Sequence, residues 1–286
     1  MPPAAHAGGT QWQALNGATA TLLLTLAARA AADKVVPDTV FSDPLARQIA
    51  AKLPVDVSGY ARDPAFVRGI VLRAALFDRM ASEFFQAYPD GMGVTLGAGL
   101  CTRRSRILAG LPSHQSIDWL NIDLPEGIHL REQYMDAAAS ERNLACSVLD
   151  LTWLESAGLQ PGRPLLFLME GVCPYLPKAP LEALLQRLAE HLDQHGGVGQ
   201  MVLDYVHPDL AHLPMQVGGM QLPVVSGFDS AEEIGRLHGA IQLLSEEHPF
   251  SSFSPQHRHF ESAFQAVRRR WPYTVLRLGL GGKDHG

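Results

Sequence analysis

The chain has 286 residues, of which 47% are hydrophobic and 18% charged, enough apolar material for one large α/β domain, or one domain with a helical appendage, and too much for wholesale disorder. A formal charge of −6 and two short cationic clusters, Arg103-Arg104-Ser105-Arg106 and Arg268-Arg269-Arg270, argue against nucleic acid as a partner, since such a footprint normally spans a whole face. The three cysteines, Cys101, Cys146 and Cys173, have no metal-ligand spacing, so no metal is expected, and an odd number of thiols without a disulfide framework fits a reducing cytoplasm.

In chain order, the first 90 residues read as helices and form an expected N-terminal cap (1–90) to a second unit (91–286). Alanine and leucine recur at helical spacing over residues 11–32. The stretch 18–32 carries Thr19, Thr21, Thr25 and Arg29, is short for a bilayer and reads as a soluble amphipathic helix. Asp43-Pro44 and Asp63-Pro64 each read as an N-cap followed by proline at the first helical position, and the second of these opens a long helix to about Tyr88.

From Met92 the pattern becomes alternating strands and helices. Strands are expected at 92–96, 116–122, 144–149, 165–169 and 198–206, with a helix at 179–195. Residues 208–227, rich in Pro, Gly and Met, read as a loop or lid. A helix at 230–239, a strand at 242–246, a helix at 254–270 and a last strand at 273–280 follow. Alternating elements imply parallel pairing through right-handed crossovers, hence a Rossmann-like α/β sheet of seven mostly parallel strands.

Polar residues fall where the strands end. The runs finish at Gly97-Ala98-Gly99, Asp123, Asp150 and Glu170, and in an open parallel sheet ligands bind beyond the carboxyl ends of the strands. Gly97 and Gly99 allow close backbone approach, Asp123 suits a ribose diol, and Asp150 with the Leu151 amide suits adenine. The residue three after Gly99 is Thr102, not the third glycine of a pyrophosphate-binding loop, which favours a nucleoside such as S-adenosylmethionine over NAD. Each acid alone also reads as a helix cap; four in register do not.

Four segments carry a family resemblance: Leu72-Arg73-Ala74 through Phe77-Asp78-Arg79, Leu96-Gly97-Ala98-Gly99-Leu100-x-Thr102-Arg103, Ile122-Asp123-Leu124-Pro125, and Glu170-Gly171-Val172-x-x-Tyr175-Leu176. Together with Phe41-x-Asp43-Pro44-Leu45-Ala46, they resemble the leucine carboxyl methyltransferase family, and more closely its bacterial small-molecule branch, typified by the O-methyltransferases of tetracenomycin polyketide biosynthesis. The resemblance implies S-adenosyl-L-methionine as cofactor and a small-molecule substrate. It makes Arg73 the partner of the methionine carboxylate, Gly97 the backbone approach point and Asp123 the ribose ligand with Leu124 beside it. Asp150 and Leu151 would border the adenine, and Glu170 would lie near the methionine ammonium. A guanidinium fork matches a carboxylate, and an anion steadies a sulfonium.

The sequence departs from the family at Cys101, where aspartate is usual, and at Cys173-Pro174 before Tyr175-Leu176. On the acceptor side, a phenol would want a base and a carboxylate would not; His207 after the fifth strand and Tyr175 are the candidate catalytic residues. His248, His257 and His259 show no metal spacing on one face. O-methylation of a small carboxylate or phenol in specialised metabolism is the favoured reading. The alternatives are intramolecular cyclisation of the cofactor to an azetidine, with release of methylthioadenosine, and a non-catalytic nucleoside-binding protein. An NAD oxidoreductase and a protein carboxyl methyltransferase complete the field. No membrane partner is expected, and oligomeric state is left open.

Overall fold

The computed structural model describes residues 18–282 except 113–115, 137, 212, 214, 218–219 and 223. Helices α1 (Ala18–Val35), α2 (Pro44–Lys52) and α3 (Pro64–Ala87) come first. Both Asp-Pro signals act as expected: Asp43 accepts from the Ala46 amide at 2.9 Å and Asp63 from the Ala65 amide at 2.9 Å, with proline opening each helix. The part of the expected first helix before residue 18 lies outside the described residues.

The sheet that follows contains β1 (Met92–Leu96), β2 (Asp118–Asp123), β3 (Glu141–Ala145), β4 (Leu165–Met169), β5 (Val198–Val206), β8 (Ile241–Glu247) and β9 (Tyr273–Gly281). A separate hairpin, β6 (Met215–Val217) and β7 (Met220–Leu222), intervenes. Helices α4 (Arg103–Gly110), α5 (Pro125–Tyr134), α6 (Trp153–Ser156), α7 (Lys178–Gln194), α8 (Ala231–Gly235) and α9 (Pro255–Arg268) connect them. The seven-stranded order is β3-β2-β1-β4-β5-β9-β8; the first five strands are parallel, and β9 runs antiparallel to both its neighbours.

The central strands are apolar on both faces because helices cover both. Along β4, Leu165, Phe167 and Met169 pack with Leu181, Leu184, Leu185 and Leu188 of α7, spaced for one helical face. Leu166 and Leu168 point the other way, against Phe77, Met80, Phe84 and Phe85 of α3. The first half of α3 instead shares a cluster with α1 and α2 through Val67, Ile70 and Val71. One 24-residue helix thus ties the N-terminal elements to the sheet.

Two expectations are corrected. The third strand is not 144–149 but β3, four residues earlier at its end, because an edge strand is half exposed and takes the polar run Glu141-Arg142-Asn143 while the apolar residues after it turn inward. Residues 208–227 are more ordered than a plain loop: they hold a 3-10 turn (Pro208–Leu210) and the β6–β7 hairpin. Among the described residues, no helix is long and apolar enough to cross a membrane.

Candidate active site

β1 is flanked by β2 and β4, because the chain runs outward from β1 through β2 to β3 and then crosses back to β4, and a cavity of about 1030 Å³ opens over that reversal, at the carboxyl ends of the strands. That exceeds the roughly 300–1,000 Å³ of ordinary small-molecule sites, leaving room for a cofactor and a second molecule together. Gly97, Asp123, Glu170 and Asp204, from the ends of β1, β2, β4 and β5, all line it, as do Leu22 and Arg29 of α1 and Arg73 of α3. Gly97 and Gly99 have φ of +76° and +44°; a Cβ there would lie 2.4 Å from Val172 Cγ2 and 2.3 Å from Leu22 Cδ2. The bend is therefore clasped by protein on both sides, and α1 sits directly on it.

Asp123 folds its carboxylate onto this bend, accepting from the Gly99 amide at 2.5 Å and the Leu124 amide at 2.7 Å. Burial raises its pKa, and those two amides only partly counter it. The acid is thereby fixed at the cavity wall.

Along the cavity, with its four arginines, Glu170 and Asp204 on the wall and Asp43 and Asp78 behind it, runs an unbroken chain of ion pairs. Arg29 meets Asp43 at 2.7 Å, Asp43 meets Arg106 at 2.8 Å, and Arg106 meets Asp78 at 2.6 Å. Asp78 meets Arg103 at 2.8 Å, and Arg103 Nη2 pairs with Glu170 Oε2. Glu170 Oε1 then takes Arg73 Nε at 2.9 Å, and Arg73 reaches Asp204, which also accepts from the Tyr273 hydroxyl at 2.8 Å and the Gly171 amide at 2.6 Å. Four arginines balance four acids, none more than 17% exposed, so this is a buried network rather than surface decoration. Burial alone would raise the Glu170 carboxyl, but the guanidiniums of Arg103 and Arg73 outweigh it and hold its pKa at about 2. Burial opposes charge on Arg73 too; Glu170 and Asp204 overcome it and raise its pKa. Deeper in the protein, burial leaves the Asp204 carboxyl raised.

Residues 22–189 match the leucine carboxyl methyltransferase family. The tetracenomycin polyketide synthesis O-methyltransferase of Streptomyces glaucescens is 31% identical over 68% of this chain and 68% of its own length. The chain belongs to the leucine carboxyl methyltransferase family. An S-adenosyl-L-methionine-dependent methyltransferase of Gibberella zeae is 29% identical over 66% of each chain, so the matched stretches span about two thirds of these relatives. A solved structure from Thermobifida fusca, described as a methyltransferase, superposes with a TM-score of 0.50 at 11% identity, covering 89% of this chain and 94% of that one, and shares the fold. Membership makes this chain an enzyme with a Rossmann-like methyltransferase sheet.

Of the site residues named from sequence, Arg73, Gly97, Gly99, Asp123, Leu124, Glu170 and Tyr175 come together around the cavity. Three do not. Asp150 is exposed and caps its own turn, accepting from Thr152 Oγ1 at 2.8 Å, and Leu151 packs into the main core; Ser147 and Val148, in the turn after β3, line the cavity in their stead. The cause is the strand end corrected above. His207 is buried outside the cavity lining, where it accepts from the Asp209 amide at 3.1 Å, faces Asp229 at 3.3 Å and stacks edge-on with Phe264. Its local role is to cap a turn. Glu170 is at its expected place, yet both its oxygens are engaged by arginines.

Three lining residues carry chemistry that the sequence reading passed over: Arg103, Asp204 and His257. Asp204 had a visible signal, an acid directly after the apolar run Met201-Val202-Leu203 of a central strand. Arg103 lay inside a quoted motif. Cys101, one of the departures noted above, lies 3.6 Å from Arg103 Nη1 and also faces the cavity, a weak acceptor beside that guanidinium. Cys173 is fully buried and its thiol is pushed well up by desolvation, which leaves it inert.

Proposed function

We propose that this enzyme transfers a methyl group from S-adenosyl-L-methionine to an oxygen of a small molecule in specialised metabolism. One observation carries the reading: the glycine bend, Asp123, and the Arg73–Glu170 pair border a single cavity at the reversal of strand order. The residues fit the cofactor. Asp123 retains lone pairs for a ribose diol after accepting two amides, and Val148 and Val172 offer apolar walls beside it. At the other end Arg73 supplies a guanidinium for a carboxylate, and Glu170 with Asp204 supplies negative charge for an ammonium. The cofactor contributes an electrophilic methyl; the chain's residues bind, orient and exclude water. Residues 1–90 act as a cap in this reading, with Leu22 and Arg29 closing the cavity, and residues 91–286 as the cofactor-binding unit.

Cyclisation to an azetidine demands a neutral cofactor amine. An ionised Glu170 at the amino-acid end holds an amine protonated, which works against that step. The deciding test is incubation with S-adenosyl-L-methionine followed by mass spectrometry of the nucleoside. S-adenosylhomocysteine formed only with an acceptor supports methylation; methylthioadenosine formed without one overturns it.

A further inference from the structure

Beyond Tyr273 the cavity changes character. Phe253 rests on Gly69 of α3, one turn before Arg73, where a Cβ would lie 3.1 Å from its ring. Around it stand Phe250 at 5.5 Å, Tyr273 at 6.1 Å and His257 at 5.6 Å between ring centroids. Half-exposed Phe260 and Leu213 border the same space, where a flat molecule would enter. His257 Nδ1 lies 2.7 Å from Ser254 Oγ, which also accepts the His257 amide at 3.3 Å. With Nδ1–H donating to that oxygen, Nε2 holds the free lone pair, and no hydrogen bond engages Nε2 among the described residues. The four arginines that line the cavity all stand in its charged part, away from these rings, and among the described residues no lysine lines it. An acceptor carboxylate placed among these rings would meet no side-chain cation and would face the Nε2 lone pair, whereas a phenol hydroxyl can donate to it.

Resting on the methyltransferase reading above, we infer that the aromatic chamber takes a neutral phenol rather than a carboxylate, and that His257 Nε2 is the base that receives the phenol's proton. The phenol oxygen forms a bond to the methyl carbon as the carbon–sulfur bond breaks; the electron pair of that bond stays on sulfur and the proton passes to His257. Burial lowers the His257 pKa, with Asp63 at the head of α3 acting in the opposite sense, so the ring is neutral and able to accept at pH 7. Tyr273, the other titratable group packed here from β9, gives its hydroxyl to Asp204. Ser254 is a positioning residue.

The test uses the full chain with 2-naphthol and 2-naphthoate as probes. Calorimetry in the presence of S-adenosylhomocysteine should show naphthol binding more tightly than naphthoate; naphthoate binding equally or better, or neither binding, overturns the acceptor class. His257→Gln should bind S-adenosylhomocysteine and naphthol as the wild type does, while kcat at pH 7 falls about 100-fold and recovers as pH rises and the phenol ionises by itself. A variant with wild-type kcat, or a loss that is uniform across pH, overturns the base. Failure of the wild-type chain to bind S-adenosylhomocysteine would instead strike the parent reading, so the two failures are distinguishable.

Discussion

From Arg29 to Tyr273 the cavity is bordered by charges that answer one another in sequence, whereas from Tyr273 to Phe260 it is lined by rings and by the His257 imidazole, whose Nε2 has no hydrogen bond among the described residues. The charged half draws on the ends of four parallel strands and on α1, α3 and α4, and its donors and acceptors are fixed before any ligand arrives. The aromatic half comes from α9, the turn before it and β9, all late in the chain. A preorganised polar frame suits a ligand that never varies, because reorganising buried charges is expensive; a ring-lined chamber selects by shape and tolerates change.

The largest effect is expected from cutting the charged half in the middle. Glu170→Gln removes the anion shared by Arg73 and Arg103 and leaves two buried guanidiniums facing an amide, so stability should drop by about 3–5 kcal/mol in urea unfolding and cofactor affinity should be lost. The pH dependence has a definite sign. A carboxyl held at about 2 when folded, against an ordinary value of 4.5, stabilises the fold fully above about pH 4.5 and loses that contribution as pH falls towards 2. The wild type should weaken over that window and the variant should show a shallower slope there. Equal slopes would mean that Glu170 is not the coupled anion.

A smaller effect, confined to binding, separates the two acids that sequence placed together. Asp123→Ala removes an acceptor held at the wall by two amides, and cofactor affinity by calorimetry should fall about 10- to 100-fold, the worth of a charge-assisted pair. Asp150→Ala should change it less than about twofold, because that carboxylate caps an exposed turn. The reverse ranking would show that the cofactor reaches past Ser147 and Val148.

The charged half was also the legible half. The central strands, the glycine bend and two of the three rim acids follow from apolar runs that stop at a glycine or an acid, since a central strand must be apolar and its end need not be. Asp150 misled because β3 is an edge strand, whose polar pairing residues hide its true end. Asp204 was overlooked because its partners, Arg73, Gly171 and Tyr273, are 131, 33 and 69 residues away, and no local pattern announces such a meeting. In sequence His257 shows only the absence of metal spacing with His248 and His259. What qualifies it, a ring edge left free in an aromatic chamber, arises from the packing of Phe250 and Phe253 against α3 and cannot be read from neighbours in sequence.

The smallest effect sharpens the contrast between two histidines. His207 sits at the carboxyl end of β5, the position that a sequence reading favours for a base, yet its Nδ1 accepts the Asp209 amide and its Nε2 faces Asp229. Both ring nitrogens are thus engaged in holding a surface turn. His207→Ala should lower stability by about 1 kcal/mol, as loss of a capping acceptor does, with cofactor affinity and kcat unchanged. Urea unfolding and product formation measured on the same preparation check both halves of that statement. A kcat that falls while the unfolding midpoint holds would move the base from α9 back to the end of β5, and the aromatic chamber would then lose its claim to the reacting oxygen.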